Sequence, residues 1–486
     1  LRSPSDPEEL VVPGPTFDVV ADFQPEIRTQ VATTFVAKGA ALVDQVTVAP
    51  AAGDTWAQVD GASVPVVAQG VLYGPYAAQP AQSSTVPAGA PVAGTAELTF
   101  AGPSTLDASA SAVAKGSGYY TWVWTIDKEA QGSYSDYVRA DATHDFGLVA
   151  ETHVVPFQPE VITVVADRVV DATHPLVDEV TFGAVPGDSW LTRQDGSPVE
   201  TVWDGTLYGP FDVPTPQVDA ASPGAPLHAR TPLSASAPGV QSTDLAASSG
   251  ARPGFYTWVW EMDRASQPVA SQPYLAGSSS TAFMIEDETS TIKHTGTVTT
   301  MVRDLNVGQG GQIQDTVTVS GLPDSHGQFT GEGGWVGDVD EIVHTAYGPL
   351  PEQPTDDLDL ASAPVLGTAS TPARNGTYLI GRGGEFQVAA DNSAAGWYVV
   401  VSTFVGDDRV DALTTSPGDV MEMAFVPLDR QTAVESWLVT DADAEVPAGQ
   451  PFKDTAYLTG TIVDGGHLRF EAYGPFTEDQ TPEESP

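Results

Sequence analysis

The sequence contains no cysteine, which excludes disulfides and thiolate metal sites alike. Basic residues are scarce: 19 Lys and Arg stand against 64 Asp and Glu, a net charge of −45. Such a surface repels phosphate backbones and anionic lipid, so neither nucleic acid nor a membrane surface is an expected partner. Lysine is absent between Lys128 and Lys293, and again between Lys293 and Lys453. A Lys–Asn or Lys–Asp isopeptide bond is therefore excluded as a general internal clamp. There is no run of 18 apolar residues, and the opening Leu1-Arg2-Ser3-Pro4 is not a signal peptide. The chain reads as a mature fragment of something longer, extracellular and monomeric, with no membrane insertion in this stretch. No Gly-rich phosphate loop, paired-His zinc motif or Gly-x-Ser-x-Gly elbow stands out either.

What is present is a repeat. At 486 residues the chain suits three or four domains. Asp-x-Val-Thr recurs at Asp44, Asp178 and Asp315, with a degraded copy at Asp454, spaced 134, 137 and 139 residues apart. A Tyr-Gly-Pro corner recurs at Tyr73, Tyr208, Tyr347 and Tyr473. An aromatic strand recurs as Gly118-Tyr119-Tyr120-Thr121-Trp122-Val123-Trp124 and Gly254-Phe255-Tyr256-Thr257-Trp258-Val259-Trp260, then more weakly from Gly396. Asp-x-Val-Thr alternates as a half-buried strand does. Gly and Pro in the corner are expected to end a strand.

Tyr120, Trp122 and Trp124 fall on one face, as do Tyr256, Trp258 and Trp260. That stripe reads as the centre of a sandwich core, with a sugar-binding platform as the alternative. Short strands with Pro/Gly/Ser turns predict an all-β chain of tandem Ig-like, adhesin-type β-sandwich domains in an elongated rod. The expected boundaries are an N-terminal segment 1–15, repeats at 16–155, 156–292 and 293–428, and a partial fourth at 429–486 with an acidic tail.

A hydroxyl residue lies 15 positions before each Asp landmark: Thr29, Thr163 and Thr300. In the fourth unit Ser436 is assigned the same place, with a longer loop. Ile27, Thr29 and Val31 share a face, so the hydroxyl points inward, either as an ordinary β-branched core residue or as a reactive group.

Pro-x-Ile-x-Thr, then Asp-x-Val-Thr, then a Gly-Tyr-x-aromatic strand resembles the stalk repeats of Gram-positive, actinobacterial-type surface-anchored adhesins. In particular it resembles the domains that form an intramolecular Thr–Gln ester bond. The resemblance covers nearly the whole chain through short motifs. It implies a cell-wall-anchored stalk whose ligand, a host or environmental surface, is met elsewhere in the full-length protein. It implies no enzyme beyond single-turnover self-cross-linking. It further implies that Thr29, Thr163 and Thr300 are nucleophiles and that Asp44, Asp178 and Asp315 are buried acids.

The chain departs from that pattern at the last strand. Glu151, Glu288 and Glu422 stand where the Gln is expected, and Glu condenses with Thr by losing water rather than ammonia. Gln131 and Gln267, each seven residues after the aromatic strand's last Trp, are the alternative amides. His144 lies seven residues before Glu151, roughly where the family carries its His, and Thr281 takes that place in the second unit. No cofactor is expected. Acidic clusters at Asp340-Glu341, Asp356–Asp359 and Asp441–Glu445 lack the ordered spacing of a calcium loop, so calcium remains the weaker reading beside solvated acidic turns. A binding module for carbohydrate or host protein, using the aromatic strands or long loops, is the alternative function.

Overall fold

The computed structural model describes residues 21–111, 113–171, 173–243, 250–428, 437–460 and 468–472. The chain divides into two compact units. One holds Leu1–Phe211 with Thr215–Ser290, the other Asp212–Pro214 with Thr291–Pro486. The described residues form an all-β protein whose few helical pieces are short 3-10 turns.

The first unit contains two sandwiches built alike. In the first, the hydroxyl strand Pro25–Val31 and the Asp strand Val43–Pro50 join Ser104–Ser109 in a three-stranded sheet. The opposing sheet runs Thr152–Val155, Gly118–Ile126, Val66–Tyr76, Val92–Phe100. The second sandwich pairs Pro159–Val165, Asp178–Ala184 and Gly239–Ser242 on one side. Its other sheet centres on Thr201–Phe211 and Gly254–Met262. In the second unit, Thr297–Val302, Asp315–Ser320 and Gly376–Ile380 face a sheet centred on Glu341–Leu350 and Gly396–Phe404. A two-stranded hairpin, Trp437–Ala442 with Asp454–Thr459, follows.

Alternation places the core. In the Asp strand, Asp44, Val46 and Val48 are buried while Gln45 is exposed. The aromatic strands are central, covered on both faces, and buried along almost their whole length. Trp122, Trp124, Trp258 and Trp260 are at most 1% exposed, so this face is core and offers no platform to a sugar. Each such ring buries about 150–250 Å² of surface. At about 25 cal/mol per Å², that is roughly 4–6 kcal/mol of gross transfer free energy per ring.

The Tyr-Gly-Pro corner does not end its strand. Val66–Tyr76 and Thr201–Phe211 run through it, shifting register against the aromatic strand as they pass. Gly74 has φ +142°, and a Cβ there would lie 2.5 Å from Tyr119 O. The glycine lets two backbones approach; the chain bulges and continues.

After the hydroxyl strand the chain crosses to the other sheet and runs parallel to the last strand. Val36 N donates to Val154 O at 2.9 Å, and Val154 N donates to Thr34 O at 2.7 Å. The third sandwich repeats this with Val307 N to Phe425 O and Phe425 N to Leu305 O. Thus the two terminal strands of a repeat are neighbours.

Within the first unit, Asp188 joins the two sandwiches. Its side chain is 2% exposed and takes Lys38 Nζ at 2.8 Å, Ser117 N at 3.1 Å and Gln158 N at 3.0 Å. Tyr119 Oη also donates across to Thr192 O at 2.6 Å. Asp188→Ala strands these donors and is expected to cost about 1–3 kcal/mol. Calorimetry of the full chain checks it; an unchanged melting profile would contradict the assignment.

Candidate functional site

The predicted Thr, Asp and Glu come together in all three sandwiches because their elements meet at one end of the core. In each, the 3-10 turn carrying the Glu packs on the hydroxyl strand. Thr29 pairs with Val46, Thr163 with Val180 and Thr300 with Val317, while the Asp sits opposite the residue two positions beyond the Thr. Asp44, Asp178 and Asp315 are 0% exposed; Glu151, Glu288 and Glu422 are 1–2% exposed.

In the first sandwich, His144 links the set. Its Nε2 lies 2.5 Å from Ile27 O, which can only accept, so Nε2 carries a hydrogen. Its Nδ1 faces Glu151 Oε1 at 2.7 Å and Thr29 Oγ1 at 3.2 Å. Burial lowers the His144 pKa, but the bond to Glu151 and its charge outweigh that and raise it overall. Asp44 takes the indole hydrogen of Trp124 on Oδ2 at 2.7 Å. Burial pushes Asp44 up to about 7, the Trp124 bond opposing and the Glu151 charge reinforcing the shift.

The second sandwich replaces His144 by Thr281, whose Oγ1 donates to Glu288 Oε2 at 3.1 Å. Asp178 accepts from Trp260 Nε1 at 2.7 Å and is pushed by burial to about 7. Burial pushes Glu288 to about 8, while the neighbouring Thr163 hydroxyl favours its charged form. That hydroxyl is buried and reaches no partner in full hydrogen-bonding geometry. It lies beside a carboxyl without being consumed by it.

The third sandwich differs. Asp315 Oδ1 accepts from Met301 N at 2.9 Å, and the Asp315 and Glu422 carboxyls lie close enough to act on each other directly. Burial pushes Asp315 to about 6 and, with the Asp315 charge added, Glu422 to about 9. Thr300 Oγ1 has no partner. Two acids this close do not both ionise readily.

Two sequence expectations change. Gln131 and Gln267 are not near the threonines: they bracket Val67 and Val202, bonding the backbone N–H and C=O of each, together with Asp127 O and Asp263 O. Both amides are saturated by backbone, which explains their common spacing. Ser436 lies outside the described residues, and the hairpin register puts another residue in the hydroxyl position. Thr440 pairs with Ala456, two residues past Asp454, as Thr29 pairs with Val46. The connection is one residue shorter there, not longer.

Sequence reasoning missed the Trp–Asp bonds and the glycine that admits each indole. Gly70 pairs across strands with Trp124 and Gly205 with Trp260. A Cβ would lie 2.6 Å from the ring at Gly70 and 2.5 Å at Gly205. The signal was a Gly three residues before the corner Tyr, present in these two repeats and replaced by His344 in the third.

It also missed a buried cluster, His326 with Asp338 and Asp407. His326 Nδ1 faces Ala373 O at 2.6 Å and Nε2 faces Asp407 Oδ2 at 2.9 Å. Both partners accept, so the ring is an imidazolium. Arg409 donates to both oxygens of Asp338 at 3.0 and 2.9 Å. The acids are further capped by backbone N–H groups. Their charge is already answered by side chains, which makes the cluster an ion-pair network. Of the acidic loops weighed for calcium, Asp359 and Asp443 cap turns, accepting from Ala361 N and Lys453 N.

No protein-family model matches the chain, and no curated protein is similar to it in sequence. Among solved structures, the Escherichia coli adhesin FdeC is similar at 13% identity, over 83% of this chain and 99% of that one, with a TM-score of 0.26. A 1.5-MDa bacterial ice-binding adhesin is similar at 11% identity, over 85% of this chain and 100% of that one, with a TM-score of 0.24. Native Escherichia coli alpha-2-macroglobulin follows at 9% identity, over 87% of this chain and 24% of that one, with a TM-score of 0.18. These likenesses are loose, and no activity transfers from them.

Proposed function

We propose that the chain is an extracellular structural segment of a bacterial cell-surface adhesin, whose repeats are latched by Thr–Glu condensation between the first strand and the last. One observation carries this reading: a Thr on the inner face of the first strand (fully buried at Thr163, half-buried at Thr29 and Thr300), a buried Asp and a buried Glu come from three distant stretches to the same place in successive sandwiches. The other parts of the full-length protein would meet the host or environmental ligand, and cell-wall anchoring belongs to them too.

The chemistry balances without a co-reactant. In the form of the His144–Glu151 contact that carries its proton on the carboxyl, Thr29 Oγ1 attacks Cδ of Glu151, forming the ester C–O bond and breaking the bond from Cδ to its hydroxyl. His144 Nδ1 takes the threonine proton and returns it to the departing hydroxyl, which leaves as water. Well-oriented neighbours reach effective molarities of about 10⁵–10⁸ M, which favours ester over free acid and alcohol when water is excluded. The reaction happens at most once in any repeat, so the chain is no enzyme in the ordinary sense.

Intact-mass spectrometry of the folded, purified chain tests the latch. Each linked repeat lowers the mass by one water, and Thr→Val at that repeat restores it. A mass equal to the sequence throughout would overturn the latch.

A further inference from the structure

The three sites share their acids but not what surrounds the Asp. In the first two sandwiches the cross-strand pairs are Gly70 with Trp124 and Gly205 with Trp260. In the third, the same pair is His344 with Ser402. The exchange is self-consistent. His344 is fully buried, with Nδ1 2.7 Å from Ser402 Oγ and Nε2 2.9 Å from Thr371 Oγ1. A ring entering from the opposite strand thus replaces a ring that needed a glycine beneath it.

The consequence falls on the Asp. Trp124 and Trp260 each give an N–H to Oδ2 at 2.7 Å. Ser402 instead turns its hydroxyl to His344, and among the described residues no donor reaches Asp315 Oδ2. Asp315 and Glu422 then lie against each other, and the Thr300 hydroxyl, like that of Thr163, reaches no hydrogen-bond partner. Where the indole is present, the Glu is engaged on the hydroxyl side instead. Glu151 meets His144, which meets Thr29, and Glu288 meets Thr281 beside Thr163.

We infer that the Trp–Gly pair is the positioning element of the site: the indole N–H holds the Asp away from the Glu and leaves the Glu to the threonine, whereas the His344–Ser402 exchange pairs the acids and closes the third site to condensation. The last clause rests on the latch proposed above; the positioning itself does not.

Two measurements on the full chain test this. The first is peptide mapping of linked repeats by mass. Thr29–Glu151 and Thr163–Glu288 links are expected, and no Thr300–Glu422 link. Trp260→Phe keeps a ring but removes the donor. It should cut the second link about tenfold or more, the scale of one charge-assisted hydrogen bond, while the first link reports an otherwise intact chain. The double variant His344→Gly/Ser402→Trp should create the third link. A linked third repeat in the unaltered chain, or an undiminished second link in Trp260→Phe, overturns the inference.

The second measurement is carboxyl NMR titration of Thr29→Val/Thr163→Val/Thr300→Val, which leaves every Glu free. Asp315 and Glu422 should titrate as one coupled pair, and Asp178 and Glu288 should become such a pair only when Trp260→Phe is added. Unchanged, separate titration of Asp178 in that background overturns the positioning role. If no repeat is linked in the unaltered chain, the latch fails, and this titration still decides the positioning.

Discussion

A chain carrying Thr29→Val, Thr163→Val and Thr300→Val will lose stability steadily as the pH rises from about 5 to about 9, each raised carboxyl contributing about 1.4 kcal/mol per pH unit inside its own window. The sign follows from the direction of the shifts. Asp44 and Asp178 rise from 3.8 to about 7, and Asp315 from 3.8 to about 6. Glu288 rises from 4.5 to about 8 and Glu422 from 4.5 to about 9. The folded chain therefore holds protons that the unfolded chain has released. The contribution of these five carboxyls is full below about 4, falls through the interval and levels off above their folded values, while His153 and His344, both lowered to about 4, act in the opposite direction between about 4 and 6.5. His144 and His326, both raised, act in the same direction as the carboxyls. Melting temperatures from calorimetry at pH 5, 7 and 9 read the effect. A flat or rising trend would mean that the acids are not buried as described. In the chain that retains its threonines, each linked Glu drops out of the titration, so the slope becomes shallower by that amount.

Gly205→Ala is the second large effect. The added Cβ falls 2.5 Å from the Trp260 ring, in a strand pair whose other face is also covered. Overpacking of this kind costs about 1–3 kcal/mol and sometimes more. The upper end is expected here because neither backbone nor indole can yield without breaking the bond to Asp178. Trp260→Ser alone leaves a large cavity and should cost about 3–5 kcal/mol. The double change Gly205→His/Trp260→Ser copies the pairing already present in the third sandwich. It should therefore be more stable than the sum of its single changes by at least about 1 kcal/mol. Thermal unfolding of the four chains closes the cycle, and simple additivity would mean that the two positions do not share one volume.

These expectations show where sequence reasoning reached and where it stopped. Strand alternation and recurrence at fixed spacing made the sandwich architecture legible. Both depend on local geometry, period two and a repeated loop length. Recurrence also brought out Thr29, Asp44, Glu151 and their counterparts. The indole bond to Asp44 was invisible, because it joins side chains 80 residues apart across the core, from one sheet to the other. Gln131 looked reactive because its spacing recurs, yet the recurrence belongs to a backbone bracket. Thr440 was overlooked because counting from Asp454 assumed a longer connection, whereas pairing register, not loop length, decides which residue faces inward.

The adjacency of the terminal strands has a mechanical meaning. Force entering at one end of a repeat and leaving at the other meets parallel neighbours, such as the segment at Phe35 beside Val154, and so must shear their bonds together rather than open them singly. Thr29 and Glu151 lie at the two ends of that load path and are 122 positions apart. The proposed bond between them would withhold roughly 400 Å of contour length, at about 3.4 Å per extended residue, from any pull on the chain. A repeat latched in this way would have almost no slack: it would transmit tension across its first and last few residues, while the rest of the sandwich carried none.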